Sequence, residues 1–111
     1  MLTITHTEQQ GSHIYQIDGR VDTDGANQLE AELGQAIDNG THRIVLDLSQ
    51  TNYLNSAGLR ILADVLTRCR EHNGDVKLAA PNIKVMRVLE IIGFDKFFNV
   101  YDSIEDAVNA N

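Results

Sequence analysis

The chain is predicted to be an α/β domain in which a small mixed β-sheet carries about four helices in the order ββαβαβαβα. Two observations lead to this. Strand-like runs alternate with segments of helical period along the whole sequence, with no linker, repeat or low-complexity tract between them. One of the runs, HRIVLDLS, is almost continuously apolar at Ile44, Val45, Leu46 and Leu48, as expected of a strand covered on both faces.

The first segment, LTITHT, alternates and is rich in Thr and Ile, so it reads as a strand. Gly11-Ser12 makes a turn, and HIYQIDG alternates again, which suggests a hairpin or neighbouring strands. In DTDGANQLEAELGQAIDNG, the residues Ala26, Leu29, Leu33, Ala36 and Ile37 recur at helical spacing. Asp22, Thr23 and Asp24 offer N-caps and first-turn acids, and Asn39-Gly40 stops the helix.

After HRIVLDLS comes the stretch YLNSAGL, and then AGLRILADVLTRCREHNG. In this second helix Leu59, Leu62, Leu66 and Cys69 share a face, and Asn73-Gly74 ends it. DVKLAA is a short strand followed by a turn at Pro81. NIKVMRVLEIIG is a third helix with Val85, Leu89 and Ile92 in line and Gly93 as its stop. FFNVY is a last short strand, and SIEDAVNA a terminal helix in which Ser103 and Asp106 have the form of a capping box. Of Phe94, Phe97 and Phe98, two are expected in the core and one in an exposed patch.

A length of 111 residues suits one compact domain, so the expected domain spans residues 1–111. Hydrophobic residues make up 42%, which supports a core and excludes global disorder; with aromatics at 5% and no Trp, that core is aliphatic. A net charge of −7 disfavours nucleic acid as a direct partner. Cys69 is the only cysteine, so no internal disulfide forms; it is expected as a buried structural thiol. MLTITHTEQQ lacks the basic and apolar regions of a signal peptide, and no apolar run reaches membrane-spanning length. These features give a cytoplasmic expectation, with no membrane association.

In α/β sheets, sites gather at the carboxyl ends of strands, and YLNSAGL lies at such an end. Ser56 has three possible roles there. It can be the N-cap of the helix that follows. It can be a nucleophile, but the hydrolase elbow requires Gly two positions earlier, where Leu54 stands, and His6, His13, His42 and His72 have no recognisable triad setting. It can be a phosphorylation site, since a helix N-terminus accepts a phosphate. Gly58 in the first turn costs about 1 kcal/mol against Ala, and one reason to keep it is close approach of another molecule. Asp22 and Asp24 lack a third ligand, so no metal site is expected, and no cofactor.

IVLDLSQTNYLNSAGLRILADV resembles the signature of the STAS domain of sulfate transporters and anti-sigma factor antagonists. In the bacterial antagonists this region carries Asp-Ser-Ser/Thr-Gly-Leu, and Asn55-Ser56-Ala57-Gly58-Leu59 occupies those places. GRVDTDGANQLEAEL is similar to the family's segment opening the first helix, NGDVKLAA to a later strand, and VMRVLEIIGFDKFFNVYDSIEDAV to its closing helix, strand and helix. The likeness covers essentially the whole chain and implies a STAS fold.

It also implies a non-enzymatic anti-sigma factor antagonist. The family's phosphorylated serine falls on Ser56, and the acid near it on Asp22. The implied partners are an anti-sigma factor that is also a serine kinase, and a serine phosphatase. The implied partner-binding residues are Asp22, Thr23, Asn55, Ala57, Gly58 and Arg60. Asn55 replaces the usual Asp and removes a charge beside the serine, while Ala57 removes a neighbouring hydroxyl. The competing expectation within the fold is a STAS subunit of a transport or lipid-trafficking complex, without a phospho-switch.

Overall fold

The computed structural model describes residues 1–110; Asn111, the end of the expected domain, lies outside the described residues. Strand β1 (Leu2–Gln9) turns at Gln10 and Gly11 into β2 (Ser12–Val21), with which it pairs antiparallel. Helix α1 (Thr23–Asp38) leads to β3 (Arg43–Asp47), a short turn and β4 (Thr51–Leu54). Helix α2 (Ser56–Glu71), β5 (Asp75–Ala79), α3 (Ile83–Ile91), a 3₁₀ turn (Phe94–Lys96), β6 (Asn99–Tyr101) and α4 (Ile104–Asn109) complete the described chain. The sheet is mixed and runs β1-β2-β3-β5-β6; beyond the first hairpin its pairs are parallel.

The mixed α/β class and the four helices agree with expectation, while β4 is an additional strand. YLNSAGL therefore does not follow HRIVLDLS directly. The chain leaves β3 at Asp47, and β4 takes over as parallel neighbour of the far half of β2, through Thr51, Tyr53 and Leu54. The buried Thr51 anchors the changeover: its Oγ1 donates to the Ile17 carbonyl at 2.6 Å, and its N–H to the Leu48 carbonyl at 3.1 Å.

The main core lies between the sheet and the first three helices, with Ile17, Leu29, Leu33, Leu46, Leu62, Leu78 and Leu89 fully buried. A smaller cluster of Ile14, Val45, Ala79, Ala107 and Val108 lies under α4 on the other face. Ile44 and Leu46 point to one cluster and Val45 to the other, so β3 is covered on both sides, which explains its apolar run.

Cys69 is buried in the main core, and burial pushes its thiol up to about 11; Asp75 adds to the rise and Arg68 opposes it. The Tyr15 phenol is also raised, first by burial and then by Glu32. Phe98 is buried and Phe94 packs against the core, which leaves Phe97 exposed. Among the described residues, no helix is long and apolar enough to cross a membrane.

Candidate functional site: two helix starts at one end of the sheet

Strands β2 and β4 end side by side, with Val21 opposite Leu54. Each then turns into a helix. Asp22 caps α1: its Oδ1 accepts the Gly25 N–H at 2.9 Å, and its carbonyl accepts the Ala26 N–H at 2.7 Å. Asn55 caps α2 in the same manner: its Oδ1 accepts the Gly58 N–H at 2.9 Å, and its carbonyl accepts the Leu59 N–H at 3.0 Å. The two starts are tied together. The Asn55 N–H donates to the Val21 carbonyl at 3.0 Å, and Asn55 Nδ2 donates to Thr23 Oγ1 at 3.4 Å. Two helix N-termini thus present their unpaired N–H groups and partial positive charge at one end of the domain.

Ser56 is not the cap. It is the first helical residue and is exposed, so its hydroxyl is released from capping. Gly58 is buried and has an internal reason to lack a side chain: a Cβ there would come within 2.6 Å of Val21 Cγ1. The structure therefore brings Asp22, Thr23, Asn55 and Ser56 together, with Thr23 and Ser56 on the surface. Ala57 and Leu59 pack partly against the core, and Arg60 is exposed in the first turn of α2.

One pair at this end was not legible in the sequence. The Arg20 guanidinium carbon lies 4.2 Å from the centre of the Tyr53 ring, across the β2–β4 pairing. Only the extra strand brings them together, and its four residues, with just Thr51 and Leu54 buried, carry no alternation that would signal it.

A STAS domain model matches residues 3–107. BtrV of Bordetella bronchiseptica, a candidate anti-sigma factor antagonist, is 38% identical over 109 residues, 98% of this chain and 94% of that protein. The anti-sigma-F factor antagonist RsfB of Mycobacterium tuberculosis is 28% identical over 96% of this chain and 87% of its own length. An anti-sigma factor antagonist structure from Mycobacterium paratuberculosis superposes with a TM-score of 0.88 at 27% identity, over 97% of this chain and 92% of that one. A candidate antagonist from Thermotoga maritima, at 23% identity and a TM-score of 0.90, shares the fold over 94% of this chain and 90% of its own. The chain belongs to the STAS domain family, among relatives named as anti-sigma factor antagonists.

Proposed function

We propose that the protein is a non-catalytic anti-sigma factor antagonist that switches partners through Ser56. Unphosphorylated, it binds an anti-sigma factor that is also a serine kinase, through a face formed by Asp22, Thr23, Asn55, Ala57, Gly58 and Arg60. Phosphorylation of Ser56 releases that partner, a serine phosphatase resets the switch, and the cycle runs in the cytoplasm.

The observation that carries this is the division of labour between neighbours: Asn55 does the capping, and Ser56 stands exposed at a helix start with its hydroxyl uncommitted. The other serines are less suited. Ser12 is buried, and Ser103 Oγ is occupied as the cap of α4, accepting the Asp106 N–H at 3.0 Å. Ser49 sits beside the carboxylate of Asp47, to which its own N–H donates. A phosphate on Ser56 brings a charge of about −1.5 to −2, which the N–H groups and dipole of α2 receive without loss of the fold. A partner that must strip water from the same surface is disfavoured.

The test mixes the purified chain with candidate anti-sigma kinases of its own genome and ATP. Intact mass should show one added phosphate, peptide mapping should place it on Ser56, and Ser56→Ala should remain unmodified. A stoichiometric phosphate that survives Ser56→Ala would remove the basis of the proposal.

A further inference from the structure

A groove lies between the start of α3 and β4, the strand that ends two residues before Ser56, lined by Asn52, Tyr53, Leu54, Lys84, Val85 and Val88. Its floor is apolar, since Leu54 and Val85 are buried. Its volume of about 180 Å³ suits one large aliphatic or aromatic side chain. Its walls are fixed: Asn82 Nδ2 donates to the Thr51 carbonyl at 2.7 Å, while Asn82 Oδ1 accepts the Val85 N–H at 2.9 Å and caps α3. Tyr53 on its lining is 39% exposed, and Ile83, the first residue of α3, is 71% exposed.

The charge around this groove is opposite to that of the chain. The net charge is −7, yet no acidic side chain lines the groove. Lys84 lines it, and Arg20 lies over the ring of Tyr53, another of its lining residues. Neither forms an ion pair among the described residues, whereas Arg68 and Arg70 are paired with Asp38 and Asp75. The N-terminus of α3 adds its partial positive charge. An Arg-Tyr pair beside an apolar pocket is the composition of a binding hot spot.

We infer that this groove docks an acidic segment of the partner protein, with one aliphatic or aromatic side chain seated over Leu54 and Val85 and carboxylates facing Lys84 and Arg20. The inference rests on the proposed switch for one step: a phosphate on Ser56 repels those carboxylates and so helps to expel the segment.

The probe is a synthetic peptide, acetyl-Glu-Asp-Leu-Asp-Glu-amide, titrated into the ¹⁵N-labelled protein and followed by amide chemical shifts. The expected result is a set of shifts confined to residues 52–54 and 83–88, weakened about threefold to tenfold by Lys84→Glu or Arg20→Glu, and weakened by Ser56→Asp. A peptide with Lys in place of its acids, or Gly in place of its Leu, should bind less. Shifts at another surface, or equal binding by either control peptide, would overturn the inference. Two mixed outcomes separate it from the switch itself. If phosphorylation releases the anti-sigma factor while the peptide ignores the groove, the docking assignment fails and the switch stands. If the peptide binds the groove as expected while phosphorylation leaves partner affinity unchanged, the switch fails.

Discussion

Gly58 rests directly against Val21, so close that the first atom of any side chain would lie 2.6 Å from Val21 Cγ1. This contact sets how near the start of α2 can come to the end of β2, and with it the distance between the two helix caps. Gly58→Ala gains helix propensity worth about 1 kcal/mol, but Val21 is fully buried and stiff at its branched Cβ. Overpacking should win, for a net loss of about 1–3 kcal/mol and a melting temperature several degrees lower. Thermal unfolding of Gly58→Ala alone and together with Val21→Ala checks it, because the second change should relieve part of the first. An unchanged or raised melting temperature in the single variant would show that the contact has slack.

Asn55 should be the residue that holds the first turn of α2. Asn55→Ala removes the acceptor for the Gly58 N–H and should cost about 1 kcal/mol. Asn55→Asp keeps the acceptor and adds a charge that the helix dipole favours by about 0.3–1 kcal/mol, part of which the Asp22 carboxylate opposes. It should therefore match or slightly exceed the wild type at low salt and lose any advantage as salt rises. If Asn55→Asp falls as far as Asn55→Ala in denaturant unfolding, the bond from Nδ2 to Thr23 matters more than the cap.

The limits of the sequence are visible at these same residues. The helical period of Ala26, Leu29, Leu33 and Ile37 is strong because one face of α1 meets the sheet, and all four are buried. Cys69 falls in the core by spacing alone, for the same reason, whereas nothing in the sequence tells which of Phe94, Phe97 and Phe98 stays outside. Strand β4 was not legible, since four residues with only the first and last buried show no alternation. Asn55 and Ser56 are both good caps, and local chemistry does not choose between them. The choice is made by the Val21 carbonyl, which receives the Asn55 N–H and fixes where the helix begins. The packing reason for Gly58 comes from the same distant strand.

The pH dependence of stability should carry the signature of Cys69. Its folded thiol titrates near 11, above its ordinary value of 9.0. Between these values the unfolded chain has lost the proton while the folded chain still holds it, so the folded state is the one with more bound protons. Stability is therefore fully present below about pH 9 and declines as pH rises towards 11, by something on the order of 2 kcal/mol. The raised Tyr15 phenol acts in the same direction at the upper end of this window. Urea unfolding of wild type and Cys69→Ala from pH 8 to 11 separates the two, since the variant should show a shallower decline. Identical slopes would mean that the thiolate is better solvated in the fold than its burial implies.

Arg60 should matter for association and little for folding. It is exposed one turn along α2 from the two caps and forms no ion pair among the described residues. Arg60→Glu should change stability by less than about 0.5 kcal/mol and weaken binding to the anti-sigma factor, with a larger effect at low salt. Loss of the fold would make the side chain structural, and unchanged affinity would move the interface away from this turn.

Ser56 itself should separate fold from affinity. Ser56→Ala keeps an uncharged surface and should bind the anti-sigma factor as wild type does. Ser56→Asp places a carboxylate at the first helical position, where the dipole of α2 tolerates it, so its melting temperature should stay close to that of wild type. Its affinity should fall, because the partner must desolvate a charge that has no counterpart in the unmodified complex. The phosphoprotein carries more charge and should fall further; a penalty of about 2–5 kcal/mol corresponds to tens to thousands of fold. Calorimetry on the four proteins, with melting curves in parallel, reads both quantities. Equal affinity in all four would leave Ser56 a bystander beside its capping neighbour. Tighter binding by the phosphoprotein would mean that the phosphate recruits the partner, and the direction of the switch would be reversed.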